Sequence, residues 1–219
     1  MYVDFAIIDT DIIDKTTKET MFEAIELGAH AIAVPYHLLR VLKSIKSPKT
    51  IVRSCLIDFP MGIADIKTRC HAVEQAMIAG ANSVDICMPQ ILAANRKYDK
   101  IREDIEAIKN VCGKDCLVKY ILEYRSFDHR CLKKICEIFD EFEIGFAATS
   151  TGFFIDNLAD NLIASAFLHE NSKEINVIAT GNAWTENHFS ILNRSGIFGF
   201  RAFSIESLRR YRKFTLSNK

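Results

Sequence analysis

Neither sign of charge prevails in this sequence, where 28 lysines and arginines balance 28 aspartates and glutamates. No overall field draws such a chain to nucleic acid, to an anionic membrane or to a strongly charged partner, and a small-molecule substrate is the expected partner. Long apolar runs are missing as well. The longest, Tyr2 to Ile8 and Ala31 to Pro35, fall far short of the ~20 residues that span a bilayer. The N-terminus, Met-Tyr-Val-Asp-Phe-Ala, has no basic segment ahead of a hydrophobic run and no small-residue cleavage site. No secretory signal is read there, and a cytoplasmic location is expected. Proline and glycine are sparse and nowhere clustered, so no linker divides the chain and one domain over residues 1–219 is expected.

The seven cysteines are odd in number, and a chain of this size does not need disulfide staples. Reduced thiols packed as small apolar side chains are expected. Cys112 and Cys116 flank Gly113-Lys114 at a helix-to-strand turn, and Cys131 and Cys136 lie in a helical pattern, so neither pair has zinc-ribbon spacing. His37, His71 and His188 have no second histidine at ligand spacing. Neither a metal nor a cofactor is expected. The glycine fingerprint Gly-x-Gly-x-x-Gly is absent, and Asp9-Thr10-Asp11 follows the first strand where a dinucleotide fold would place it.

What is present is a regular alternation of short apolar or β-branched runs with amphipathic stretches. Strands are expected over 3–8, 31–34, 50–57, 83–87, 116–122, 144–149, 175–180 and 197–202. Helices are expected to begin near Thr17, Tyr36, Ile63, Arg96, Asp128, Phe153, Glu186 and Ile205. Eight strands, each followed by a helix, predict a parallel sheet closed into a single (β/α)8 barrel. Gly28, Gly80 and Gly113 fall where helices should end.

The site of such a barrel is built at the C-terminal ends of the strands. Asp9 and Asp11 end the first strand and Asp58 the third, while Asp85 lies within the fourth. Lys119 and Glu123, four residues apart, share a face of the fifth. Thr149-Ser150-Thr151-Gly152 ends the sixth, Thr180-Gly181-Asn182 the seventh, and Arg201 to Ser204 the eighth. Lys119, set between Leu117-Val118 and Tyr120-Ile121-Leu122, is costly to bury unless neutral or paired. One reading is a reactive amine or an electrostatic partner of Asp85, with Asp85 and Glu123 as proton carriers; the other is an ion pair that only fills the barrel. Ser150, Thr151 and Gly152 precede a helix, where N–H groups can receive an anion or a hydroxyl can cap. Gly181-Asn182 is a weaker signal of the same kind, and Arg201 offers a bidentate guanidinium to a carboxylate or phosphate, or a salt bridge at the rim.

Asp58-Phe59-Pro60-Met61-Gly62, Val84-Asp85-Ile86, Lys119-Tyr120-Ile121-Leu122-Glu123 and Ala148-Thr149-Ser150-Thr151-Gly152 fall in the order and spacing seen in deoxyribose-phosphate aldolases. The chain resembles that family over nearly its whole length, from Ile8-Asp9-Thr10-Asp11 onward, and Thr-Ser-Thr-Gly is the most specific element. The resemblance implies a (β/α)8 barrel and a class I aldolase that cleaves a deoxysugar phosphate through a lysine imine without a metal. It also implies where this sequence departs. The family's Schiff-base lysine precedes Thr-Ser-Thr-Gly, where this chain has Ala148, and the family's second lysine on strand seven falls at Ile178. Asp85 and Lys119 match the family. At the phosphate end Phe153 replaces a basic residue, Asn182 a second glycine, and Arg201-Ala202-Phe203-Ser204 a glycine with serines.

Three functions follow from these departures. In the first, Lys119 takes over as imine-forming amine on a small carbonyl or sugar-phosphate-like substrate. In the second, Asp85, Lys119 and Glu123 handle an enolate without an imine; the substrate-binding candidates are Asp9, Asp11, Asp58, Ser150, Thr151, Gly152, Thr180, Gly181, Asn182, Arg201 and Ser204. In the third, an inactive aldolase homologue serves as a ligand-binding or scaffold protein, and a homodimer is compatible with any of them.

Overall fold

The computed structural model describes residues 1–9, 14–46, 50–154, 157–172 and 174–218. Eight parallel strands among the described residues pair in sequence order, and the last returns to the first to close a barrel. They are β1 (Tyr2–Ala6), β2 (Ala31–Val34), β3 (Val52–Ile57), β4 (Ser83–Cys87), β5 (Leu117–Ile121), β6 (Phe146–Ala148), β7 (Asn176–Thr180) and β8 (Gly199–Ala202). Around them lie α1 (Asp14–Glu26), α2 (Leu39–Lys43), α3 (Ile66–Ala79), α4 (Gln90–Ala94), α5 (Tyr98–Cys112), α6 (His129–Glu141), α7 (Leu158–Asn171), α8 (Glu186–Arg194) and α9 (Ile205–Ser217). The (β/α)8 expectation is met. No described helix is long and apolar enough to cross a membrane, and all seven cysteines are free thiols.

Local chemistry sets most boundaries. In α6 the Asp128 side chain caps by accepting from Cys131 N–H at 2.8 Å, and Leu132, Ile135, Cys136 and Phe139 form a buried stripe at helical spacing. The leucine, isoleucine and phenylalanine of this stripe each contribute about 1.5–3 kcal/mol when fully buried. Asp65 caps α3 through Lys67 and Thr68 N–H, and Gly80 ends it at φ 109°, a left-handed conformation that a side chain would strain.

The helix count and one expected helix start are corrected. The helix after β4 is preceded by the short α4, so nine helices, not eight, are seen among the described residues. The helix after β6 begins at Leu158, not near Phe153, because Asn157 supplies the cap for Ala159 and Asp160 N–H. Ser150, Thr151 and Gly152 therefore do not form a helix N-terminus. Several strands are also shorter than their apolar runs, since Ile144, Ile175 and Ile197 pack in the core or against it from the loops.

Within the barrel, side chains alternate inward and outward along each strand. The outward set packs against the helices in one core. The inward set is stacked in layers, and its middle layer is charged.

Candidate functional site

The charged layer comprises Asp4 on β1, Asp85 on β4, Lys119 on β5 and Arg201 on β8, each no more than 1% exposed. Lys119 Nζ lies 3.0 Å from Asp4 Oδ2 and 2.9 Å from Asp85 Oδ1. Arg201 Nη2 donates to Asp4 Oδ2 at 2.7 Å and to Asp85 Oδ2. Two cations and two carboxylates thus alternate in a closed, neutral cluster. The Ser54 hydroxyl donates to Asp85 Oδ1 and lies 3.1 Å from that of Ser83. Register places Asp85 opposite Lys119 and Asp4 opposite Arg201.

Burial on its own would raise the Asp4 carboxyl, but the Arg201 guanidinium and the Lys119 ammonium outweigh it and hold Asp4 below the usual carboxylate range. Burial would likewise lower Lys119, and Asp4 and Asp85 reverse this and raise it. Lys119 is thus paired with Asp4 as well as with the Asp85 that its strand position suggested. Arg201 is corrected: it is not at the rim, because its guanidinium reaches into the barrel between two of the protein's own carboxylates. Asp4 escapes the sequence reading. Its signal is one acidic residue two positions from both Tyr2 and Ala6, hence inward, in an otherwise apolar strand.

A second layer seals the first. Ala6, Ala33, Leu56, Cys87, Ile121, Ala148 and Ile178 form one buried apolar cluster contributed by seven strands. Ala6, Leu56, Cys87 and Ile121 stand two residues beyond Asp4, Ser54, Asp85 and Lys119, one inward step nearer the C-terminal mouth. Beyond Arg201 the corresponding step is Phe203, which packs against the same cluster. At the opposite end Tyr2 lies 5.0 Å from the Phe198 ring, and burial pushes the Tyr2 phenol up to about 12.

The mouth carries a separate polar group. Glu123 leaves β5 at φ 49° and is 4% exposed. Its Oε2 accepts from Thr151 N–H at 3.0 Å and Thr151 Oγ1 at 2.5 Å, while Oε1 is buried with no hydrogen-bond partner. Asn182 Oδ1 accepts from Phe203 N–H at 3.0 Å and Ser204 N–H at 2.9 Å. The Phe203 ring lies over Gly152, where an added Cβ would collide with it. Phe153 meets Phe59 edge-on at 6.2 Å and Phe154 at 5.4 Å.

The remaining candidates scatter. Asp9 is exposed, and Asp11 lies outside the described residues. Asp58 is bound into its own loop: it accepts from Ala64 N–H at 3.0 Å and pairs with Arg69 at 2.6 Å. Arg69, 1% exposed, also donates to Asp104 at 3.1 Å and to the Cys87 carbonyl at 2.8 Å. Thr180 Oγ1 donates to the Ser150 carbonyl at 2.9 Å, and Gly181 N–H to the Arg201 carbonyl at 2.9 Å. Glu123 shares no hydrogen bond with the Lys119 cluster, so the expected Asp85–Lys119–Glu123 grouping divides into a buried centre and a mouth.

No protein-family model matches the sequence. A deoxyribose-phosphate aldolase of Clostridium tetani is 31% identical over 154 residues, covering 69% of this chain and 70% of that protein. The chain belongs to the deoxyribose-phosphate aldolase family. The fold agrees: a solved structure titled "QR15, an Aldolase" superposes with TM-score 0.85 at 24% identity, covering 100% of this chain and 97% of that one. A tetrameric deoxyribose phosphate aldolase from Aeropyrum pernix gives TM-score 0.76 at 15% identity over 99% of this chain and 90% of its own. Within the deoxyribose-phosphate aldolase barrel of this chain, Ala148 at the end of β6 and Ile178 in the middle of β7 carry no amine.

Proposed function

We propose that this barrel is a divergent deoxyribose-phosphate aldolase homologue that has given up imine chemistry and acts as a small-ligand-binding protein. The observation that carries this reading is the state of Lys119. An imine-forming amine must be neutral and reach a carbonyl carbon. Lys119 is instead held charged between Asp4 and Asp85, beneath an apolar ring that includes Ile121, Ala148 and Ile178. Deprotonating it would leave two carboxylates facing Arg201 alone, a costly imbalance in a low-dielectric interior. The reading also rests on the resemblance that puts the family's two lysines at 148 and 178.

The test is borohydride reduction in the presence of acetaldehyde, read by intact mass, beside a coupled retro-aldol assay with 2-deoxyribose 5-phosphate. No covalent adduct and no aldehyde release are expected. An adduct lost in Lys119→Ala would overturn the proposal.

A second reading retains chemistry at the mouth, with Glu123 as a base that enolises a small carbonyl compound. The unpartnered, buried Oε1 of Glu123 favours it. Solvent deuterium entering the α-carbon of a bound aldehyde, abolished in Glu123→Gln, would establish it over simple binding.

A further inference from the structure

Two successive N–H groups, those of Phe203 and Ser204, converge just ahead of the thirteen-residue helix α9. Such a pair beside a helix N-terminus is a natural place for an anion. Here both already bond Asn182 Oδ1, an uncharged oxygen that belongs to the protein. The next pair of donors, Thr151 N–H and Oγ1, is bonded by the Glu123 carboxylate. Between the two groups the Phe203 ring covers Gly152, and closes off the approach to the backbone that a residue without a side chain would allow. Among the described residues at the mouth, the acceptor without a hydrogen-bond partner is Glu123 Oε1, which is buried.

We infer that Asn182 and Glu123 stand in for a ligand anion at the mouth, so that the ligand of this barrel carries no phosphate and presents a hydroxyl or ammonium donor to Glu123. The inference deepens the ligand-binding reading above and rests on it. A phosphate entering this region would have to displace the Asn182 amide from two N–H groups and move an aromatic ring, and would meet the negative charge of Glu123. A hydroxyl or ammonium group instead satisfies an orphaned buried acceptor, which is unfavourable to leave unmet.

Isothermal titration with inorganic phosphate tests this directly. The wild-type protein should give no saturable binding below about 10 mM. Asn182→Gly should free the two N–H groups, and Asn182→Gly combined with Phe203→Ser should also uncover Gly152. Phosphate affinity should rise at least about tenfold in the single variant and further in the double. Circular dichroism shows whether either variant is folded, and the single variant carries the test if the double is not. In parallel, 2-deoxyribose 5-phosphate should raise the wild-type Tm no more than 2-deoxyribose does. Saturable phosphate binding by the wild type, or no gain in folded Asn182→Gly, overturns the inference. Neither outcome bears on imine trapping, so this failure is distinguishable from failure of the functional reading.

Discussion

Asp4 and Arg201 stand 197 residues apart in the chain and face one another across the seam where β8 closes on β1, with Nη2 2.7 Å from Oδ2. The contact ties the first strand to the last, and the same guanidinium bonds Asp85 on the far side of the barrel. A charge pair in this position does not face solvent. Its worth lies in the closed balance of two cations and two carboxylates.

Removing one member should therefore cost more than removing a matched pair. Lys119→Met leaves Asp4 and Asp85 short of one cation and is expected to destabilise the protein by about 3–5 kcal/mol. Adding Asp4→Asn restores neutrality and should recover part of the loss. Urea unfolding of the two single variants and the double measures it, and a double variant as unstable as the sum of the singles would show that the cluster does not act as a unit.

Stability should fall at both ends of the pH range. Asp4 is held below its ordinary value, so its contribution is present above an unfolded pKa of about 3.9 and lost as pH drops through the lower folded value. Lys119 is held above its ordinary value, so its contribution is present below an unfolded pKa of about 10.4 and lost as pH rises through the higher folded one. Thermal unfolding from about pH 3 to about pH 11 should show a plateau between these limits, with the acid flank reduced in Asp4→Asn.

An amine placed at position 148 would enter the apolar ring rather than the charged layer. Ala148→Lys should introduce a side chain with a pKa well below the usual lysine value, because burial disfavours its charge and its apolar neighbours offer no partner. Borohydride with acetaldehyde should then label this variant and leave the wild type untouched. Absence of labelling in folded Ala148→Lys would mean that the mouth does not admit even a two-carbon aldehyde.

Arg69 fixes the loop after β3 from outside the barrel. Arg69→Met strands the Asp58 and Asp104 carboxylates and should cost about 3–5 kcal/mol. Amide exchange should quicken at Ile63 and Ala64, whose N–H groups bond Asp58. Unchanged exchange there would show that the loop holds itself.

The fold is legible in the sequence because period and punctuation are local properties. Alternating short apolar runs and capped amphipathic stretches, closed by glycines such as Gly80, specify strands and helices wherever the chain goes. Boundaries are less legible. Ile144, Ile175 and Ile197 look like strand residues in sequence yet lie in loops, because apolar side chains fill the core from either setting. The start of the helix after β6 is misread because Thr149 to Gly152 resembles a cap, while the cap that forms is Asn157.

The sequence by itself determined that this is a barrel of alternating strands and helices, that Asp85 and Lys119 lie on neighbouring strands, and that positions 148 and 178 hold no amine. Each of these is set by residue identity and order along the chain. Only the tertiary structure decided that Asp4 and Arg201 complete the charge cluster, that an apolar ring seals it, and that Glu123 belongs with Thr151 rather than with Lys119. Those relations depend on barrel closure and on which residues share a layer, and through-space charge pairing over 197 residues leaves no periodic trace in the sequence.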